Sequence, residues 1–254
     1  MKWFHVVLLT VALCLALFEP MRAQREDDIL RPVPFRFHVG PLIGMGYNAS
    51  YGEFKTQCDC LYSGGYGFGP VIGGFVDYPV SRDMSVYVIV SSQSLNASYD
   101  KAQQRIEYVE QLGAFRPVDF ELETDLTLYT LGVGTFLKWE TPVPGLYLAG
   151  GPELSFVAYS NIEETERIVT PGFTYATSGA RESTFLDGAL GDYYDAPSFR
   201  LAIAGKIGYI IPLLDRLSLA PELTIAFPLT SVASEYSTWR ILPYQLTVAA
   251  RFGI

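Results

Sequence analysis

The chain closes on a strict alternation. In I-L-P-Y-Q-L-T-V-A-A-R-F-G-I, Leu242, Tyr244, Leu246, Val248, Ala250, Phe252 and Ile254 share one face of a strand. Pro243, Gln245, Thr247, Ala249, Arg251 and Gly253 share the other, because successive strand side chains point to opposite sides. The first face is apolar with an aromatic near each end, and the second is small or polar. Lipid outside and a polar lumen inside require this arrangement, whereas a soluble barrel carries the reverse.

The same period of two predicts seven strands upstream. In the first, Phe35, Phe37, Val39, Pro41, Ile43, Met45 and Tyr47 alternate with Arg36, His38, Gly40, Leu42, Gly44 and Gly46. In the second, Tyr66, Phe68, Pro70, Ile72, Gly74 and Val76 oppose Gly67, Gly69, Val71, Gly73, Phe75 and Asp77. The third is centred on Met84 to Leu95. The fourth sets Tyr129, Leu131, Val133, Thr135, Leu137 and Trp139 outward against Thr130, Gly132, Gly134, Phe136 and Lys138. Tyr129 and Trp139 lie about 23 Å apart along the membrane normal at ~3.3 Å per residue and a tilt near 45°, which matches an apolar band of roughly 25 Å between aromatic girdles. Leu146 to Tyr159 is the fifth, Phe199 to Tyr209 the sixth and Ser218 to Phe227 the seventh.

The connections then alternate in length. Asn48–Gly64, Asn96–Val118, Ser160–Ser198 and Thr230–Arg240 read as long loops, and Tyr78–Asp83, T-P-V-P-G and Leu213–Arg216 as short turns. Short periplasmic turns and long outer loops are the habit of outer-membrane barrels. The expected fold is all-β, an eight-stranded antiparallel transmembrane β-barrel over 35–254.

The beginning of the chain reads as a processing signal. Lys2 is followed by an uncharged apolar run, Val6 to Phe18, and Met21-Arg22-Ala23 puts a small residue before Gln24. This predicts a signal peptide over 1–23 and a short periplasmic leader over 24–34. The whole chain carries a net charge of −9, and loss of the signal makes it one unit more acidic. Such a balance argues against nucleic acid as a partner.

Charge also tests the orientation of the strands. Arg36, Asp77, Lys138, Glu153, Arg200, Lys206, Glu222 and Arg251 all share the face opposite the outward aromatics. They predict a lumen charge cluster, since a lipid-facing charge is expensive at the midplane. The turn near Leu214-Asp215 makes Lys206 and Glu222 expected direct cross-strand neighbours. Arg36 is expected to pair with Asp77, with Glu153 and Arg200 close in height. The inner-face glycines of the first two strands either leave room in the bore or let a small barrel curve.

Several segments resemble the PorT-like outer-membrane β-barrel family: G-P-V-I-G-G-F-V-D-Y-P-V-S, L-T-L-Y-T-L-G-V-G-T-F-L-K-W with L-Y-L-A-G-G-P-E-L-S-F, and L-A-P-E-L-T-I-A-F-P-L-T-S-V with the terminal A-A-R-F-G-I. The resemblance implies an integral protein of the bacterial outer membrane, with some relatives serving secretion or envelope assembly. That family has no shared catalytic motif.

Candidate chemistry is sparse. His38 is the only imidazole after the signal, so no nucleophile–base pair is expected on that basis. Asp187, Asp192 and Asp195 match no calcium-loop spacing. Cys58 and Cys60 read as a candidate loop disulfide rather than a metal site. The sequence therefore predicts no enzyme, cofactor or metal. Its expected partners are outer-membrane lipid, the barrel-assembly machinery through the C-terminal strand, and a protein or glycan at the outer loops. A passive channel is the alternative. Cleavage after Ala23 predicts that N-terminal sequencing of membrane-extracted protein begins at Gln24, and an intact Met1 would refute export.

Overall fold

A computed structural model describes residues 37–56, 60–109, 114–175 and 178–254. Among the described residues eleven strands run in chain order: β1 (His38–Lys55), β2 (Leu61–Pro79), β3 (Met84–Ser94), β4 (Ala97–Val109), β5 (Ala114–Glu140), β6 (Leu146–Ile168), β7 (Glu182–Gly188), β8 (Phe199–Tyr209), β9 (Ile211–Leu214), β10 (Leu217–Pro228) and β11 (Arg240–Gly253). Pairing closes a ring of eight. β1 joins β2, β2 joins β3, β3 joins β5 and β5 joins β6. From there β6 joins β8, β8 joins β10, and β10 joins β11. The terminal strand returns to β1 from His38 opposite Gly253 to Tyr51 opposite Arg240. All these pairs are antiparallel, and closure leaves the spanning part without an unpaired edge.

The exterior is apolar where the ring closes. Ile43, Phe68, Ile72, Val90, Leu131, Leu223 and Leu246 are all exposed, Ile43 and Leu246 to 63 %. Aromatics bound this band. Tyr47 lies 5.3 Å from Phe68 and 6.1 Å from Tyr244, and Tyr129 lies 5.9 Å from Tyr159. Trp139, Tyr78, Tyr209 and Phe252 are exposed toward the other end. Tight turns join the strands there. In the β5–β6 turn Gly145 adopts φ +83°, a left-handed conformation that favours glycine.

Inner glycines let neighbouring strands approach. A Cβ at Gly40 would lie 1.7 Å from the Ala250 carbonyl oxygen, and one at Gly151 2.0 Å from that of Thr135. At Gly40, in the first strand, the missing side chain lets the neighbouring backbone approach closely.

Two of the four expected long loops are largely sheet, 160–198 is sheet in part, and 230–239 is a connection between β10 and β11 as expected. β1 continues to Lys55 and β2 begins at Leu61, so the span 48–64 is mostly strand. The span 96–118 holds β4 and the start of β5, and 160–198 holds the end of β6, β7 and a single helical turn, Leu190–Tyr193. β4, β5, β6 and β7 pair in that order, forming a wall beyond the aromatic girdle.

Along β5 the same side faces inward throughout, yet its chemistry inverts at Tyr129. Beyond the girdle Val118, Phe120, Leu122, Leu126 and Leu128 are buried, while Asp119, Glu121, Glu123 and Asp125 face water. Within the girdle Thr130, Phe136 and Lys138 are inside while Leu131, Val133 and Leu137 face out. An apolar-out template is blind to the first half, because water has replaced lipid as the outer solvent.

Leu223 lies on the lipid-facing surface and Ala202, opposite Glu153, on the inner one. Leu223→Arg is expected to destabilise the protein in bilayers by roughly 2–4 kcal/mol at midplane depth. Ala202→Arg carries no lipid penalty and adds instead the cost of crowding a filled bore. Urea unfolding in vesicles checks the first, and a Leu223→Arg protein as stable as the parent would contradict the lipid-facing assignment of Leu223.

Candidate functional site

The inner faces bring most of the sequence-marked charges together. Near the short-turn end, Asp77 of β2 accepts hydrogen bonds from Lys138 Nζ at 2.8 Å and Arg251 Nη2 at 2.6 Å, both at Oδ2. All three side chains are almost fully buried. Lys138 also reaches Glu140 at 3.0 Å and lies 4.8 Å from the Tyr147 ring centroid. Arg251 lies 5.7 Å from that of Phe75. Ring faces so placed attract the cations, most strongly where water is excluded.

A second layer is centred on Glu222. Lys206 Nζ donates to its Oε2 at 2.7 Å, and Tyr87 donates to its Oε1 at 2.8 Å. Tyr147 donates to the same Oε1. Two phenols and an ammonium thereby satisfy a carboxylate that would be prohibitively costly alone. Above it Gln93 donates to Glu153 at 2.9 Å and accepts from Gln245. The space left among these groups, bordered by Leu42, Phe136, Glu153, Lys206, Thr224 and Gln245, is about 20 Å³, room for roughly one water.

The Lys206–Glu222 ion pair forms, but not between direct neighbours. Glu222 stands opposite Gly208, and Lys206 opposite Thr224. The turn falls at Asp215-Arg216 after β9, which moves the register by two residues and makes the pair diagonal. Asp77 takes Lys138 and Arg251 as its partners; Arg36, the expected one, lies outside the described residues. Arg200 is buried, two positions along β8 from the residue opposite Glu153, and donates to the Ile241 carbonyl at 3.4 Å. No ion pair joins it to Glu153 among the described residues. His38 is half-buried at the mouth of the bore, opposite Asp77 and Gly253.

Beyond the girdle the interior is an aromatic cap. Phe54 stacks on Trp239 with centroids 3.9 Å apart, and Tyr99 meets Phe54 edge-on at 4.8 Å. Trp239 Nε1 donates to Tyr99 Oη at 2.9 Å, and Tyr99 in turn donates to Ser50 Oγ at 2.6 Å. Trp239 and Phe54 are wholly buried. Above them Thr56 donates to Glu164 at 2.8 Å, and Arg105 pairs with Glu166 at 2.7 Å. Burial pushes the Glu164 carboxyl above the usual range, against the hydrogen bonds of Thr56 and Tyr62, and pushes the Tyr62 phenol up to about 12. Cys60 is buried beside this cap and disulfide-bonded; Cys58 lies outside the described residues.

Sequence reasoning missed Tyr87, Tyr147, Gln93 and the Trp239 cap. For Tyr147 a signal existed. A Cβ at Gly208, its register partner, would lie 2.3 Å from the Tyr147 ring, so the glycine marks where an inner aromatic must fit. Trp239 carried none, since it sits in a connection with no periodicity.

A closed antiparallel ring of eight with an apolar, aromatic-bounded exterior is an outer-membrane β-barrel. No family model matches the chain, and no curated protein matches it. It is similar to solved structures of Neisserial surface protein A, at 12 % identity and a TM-score of 0.38 over 86 % of this chain and 97 % of that one. It is also similar to outer membrane protein AlkL in lipid bilayers, at 13 % and 0.36 over 87 % and 90 %. A third, Ail of Yersinia pestis, matches at 10 % and 0.33 over 85 % and 98 %.

Asp77→Asn leaves Lys138 and Arg251 facing a neutral amide in a dry interior. The expected loss of stability is about 3–5 kcal/mol, as for breaking any buried ion pair from one side. Asp77→Asn with Arg251→Met should cost less than Asp77→Asn alone, because an unpaired cation goes too. A double mutant no more stable than the single would contradict the assignment, read from urea unfolding in vesicles.

Proposed function

We propose that this protein is a closed outer-membrane barrel with a structural or partner-binding role, exerted through the wall and loops that stand beyond the girdle. The observation that carries this is the filled bore. Two buried ion-pair layers lie beneath an aromatic cap, and the space bordered by Lys206, Glu153 and Gln245 has room for about one water. Eight strands enclose an interior about wide enough for side chains to fill, and here large ones fill it. These features favour a non-conducting barrel over the passive channel.

The same features favour a non-enzymatic role. His38 stands at the end of the bore away from the projecting wall. The work in envelope assembly or secretion implied by the PorT-like resemblance, and recognition of the C-terminal strand by the barrel-assembly machinery, belong to this proposal as its finer parts.

Purified protein in planar bilayers is expected to give no sustained conductance. Phe54→Ala with Trp239→Ala, which opens the cap and leaves the ion-pair layers in place, should still not conduct. Steady ion-selective openings of the unaltered protein, changed by Glu222→Gln, would replace this reading with the channel.

A further inference from the structure

The outer face of the wall carries charge in an arrangement that folding alone disfavours. β5 sets Asp119, Glu121, Glu123 and Asp125 outward, and β4, β6 and β7 add Asp100, Glu163, Glu182 and Asp187. Register makes several of these direct neighbours. Asp100 stands opposite Glu123, Asp125 opposite Glu163, and Glu163 opposite Asp187. Like charges directly across a sheet destabilise it. One cation, Arg167, interrupts the pattern, between Glu121 and Glu182. Partial burial and then the charges of Asp125, Asp100, Glu121 and Glu182 lift Glu123 above the usual carboxylate range. The rows enclose an open groove of about 230 Å³ bordered by Glu121, Glu123, Asp125, Glu163, Arg167 and Glu182.

The same face ends in apolar side chains. Ile106 is 74 % exposed, and Tyr108 and Phe115 stack edge to face at 5.3 Å, both exposed. Tyr108 stands opposite Phe115, and Ile106 opposite Pro117, two positions before Asp119. At ~3.3 Å per residue and a 45° tilt, Phe115 stands about 33 Å beyond Tyr129 of the girdle. An exposed aromatic cluster at that height touches no lipid of its own membrane. It marks an interaction site when it adjoins a patterned polar surface.

We propose that the outer face of β4–β7 docks a partner protein with a basic surface, whose apolar rim seats on Ile106, Tyr108 and Phe115. Charge complementarity selects this occupant. A cationic surface relieves the three like-charge pairs, whereas a second copy of this acidic face or an anionic lipid surface adds repulsion. This deepens the partner-binding role proposed above and rests on it.

The test uses the full chain in nanodiscs, with three fluorescent ten-residue peptides as probes: alternating Lys and Val, alternating Glu and Val, and alternating Lys and Ser. The Lys/Val peptide is expected to bind most tightly, and to weaken at least tenfold between 50 and 300 mM salt. Asp100→Asn with Asp125→Asn and Glu163→Gln should weaken it at least tenfold, while raising the melting temperature because the like-charge pairs are gone. Tyr108→Ser with Phe115→Ser should weaken it at least fivefold at unchanged charge. Equal binding of the Lys/Val and Lys/Ser peptides would overturn the proposal. So would charge variants that bind as the parent does, self-association through this face, or capture of anionic vesicles that depends on Tyr108 and Phe115. A conducting bore would sink the functional reading but leave these binding results standing, so the two failures are distinguishable.

Discussion

Backbone hydrogen bonding in a solvent that offers none is the constraint behind this structure. In hydrocarbon every amide must find its partner within the protein, so a sheet spans only if it closes. Here closure is the pairing of β1 with β11, over most of the length of both. It fixes which side of every strand faces lipid, and therefore which side carries polar groups.

Closure at eight strands leaves little room, and the interior must then be both polar and closely filled. The chain meets this with two small networks. Asp77 gathers cations from β5 and β11, and Glu222 gathers an ammonium and two phenols from β8, β3 and β6. Each therefore ties together strands that are not all neighbours in the ring. Such pairs are weak evidence of stability in themselves, but they penalise any register that would separate the partners.

Past the girdle the solvent changes and the pattern changes with it. The strands do not stop. β5 keeps its inward side and exchanges its chemistry, so the part beyond lipid is built like a soluble sheet around Phe54, Tyr99, Leu122 and Trp239. The bore is capped by that core, and the acidic outward rows are left exposed.

Much of this was legible in the sequence. Period-two alternation located the spanning part of each strand, and the shared face of Asp77, Lys138, Lys206, Glu222 and Arg251 placed them inside, because lipid tolerates one face only. The eighth strand needed only its own residues. Tertiary structure decided the rest. V-D-F-E-L-E-T-D-L alternates as cleanly as any strand, but only its position beyond Tyr129 makes the charged side the outer one. The register between β8 and β10 depended on where β9 turned, so the partner opposite Glu222 was not readable from residue numbers. Asp77's choice of Lys138 and Arg251, and the stacking of Trp239 on Phe54, join residues 61, 174 and 185 positions apart. Contacts across a bore leave no local pattern, since they exist only once the ring has closed.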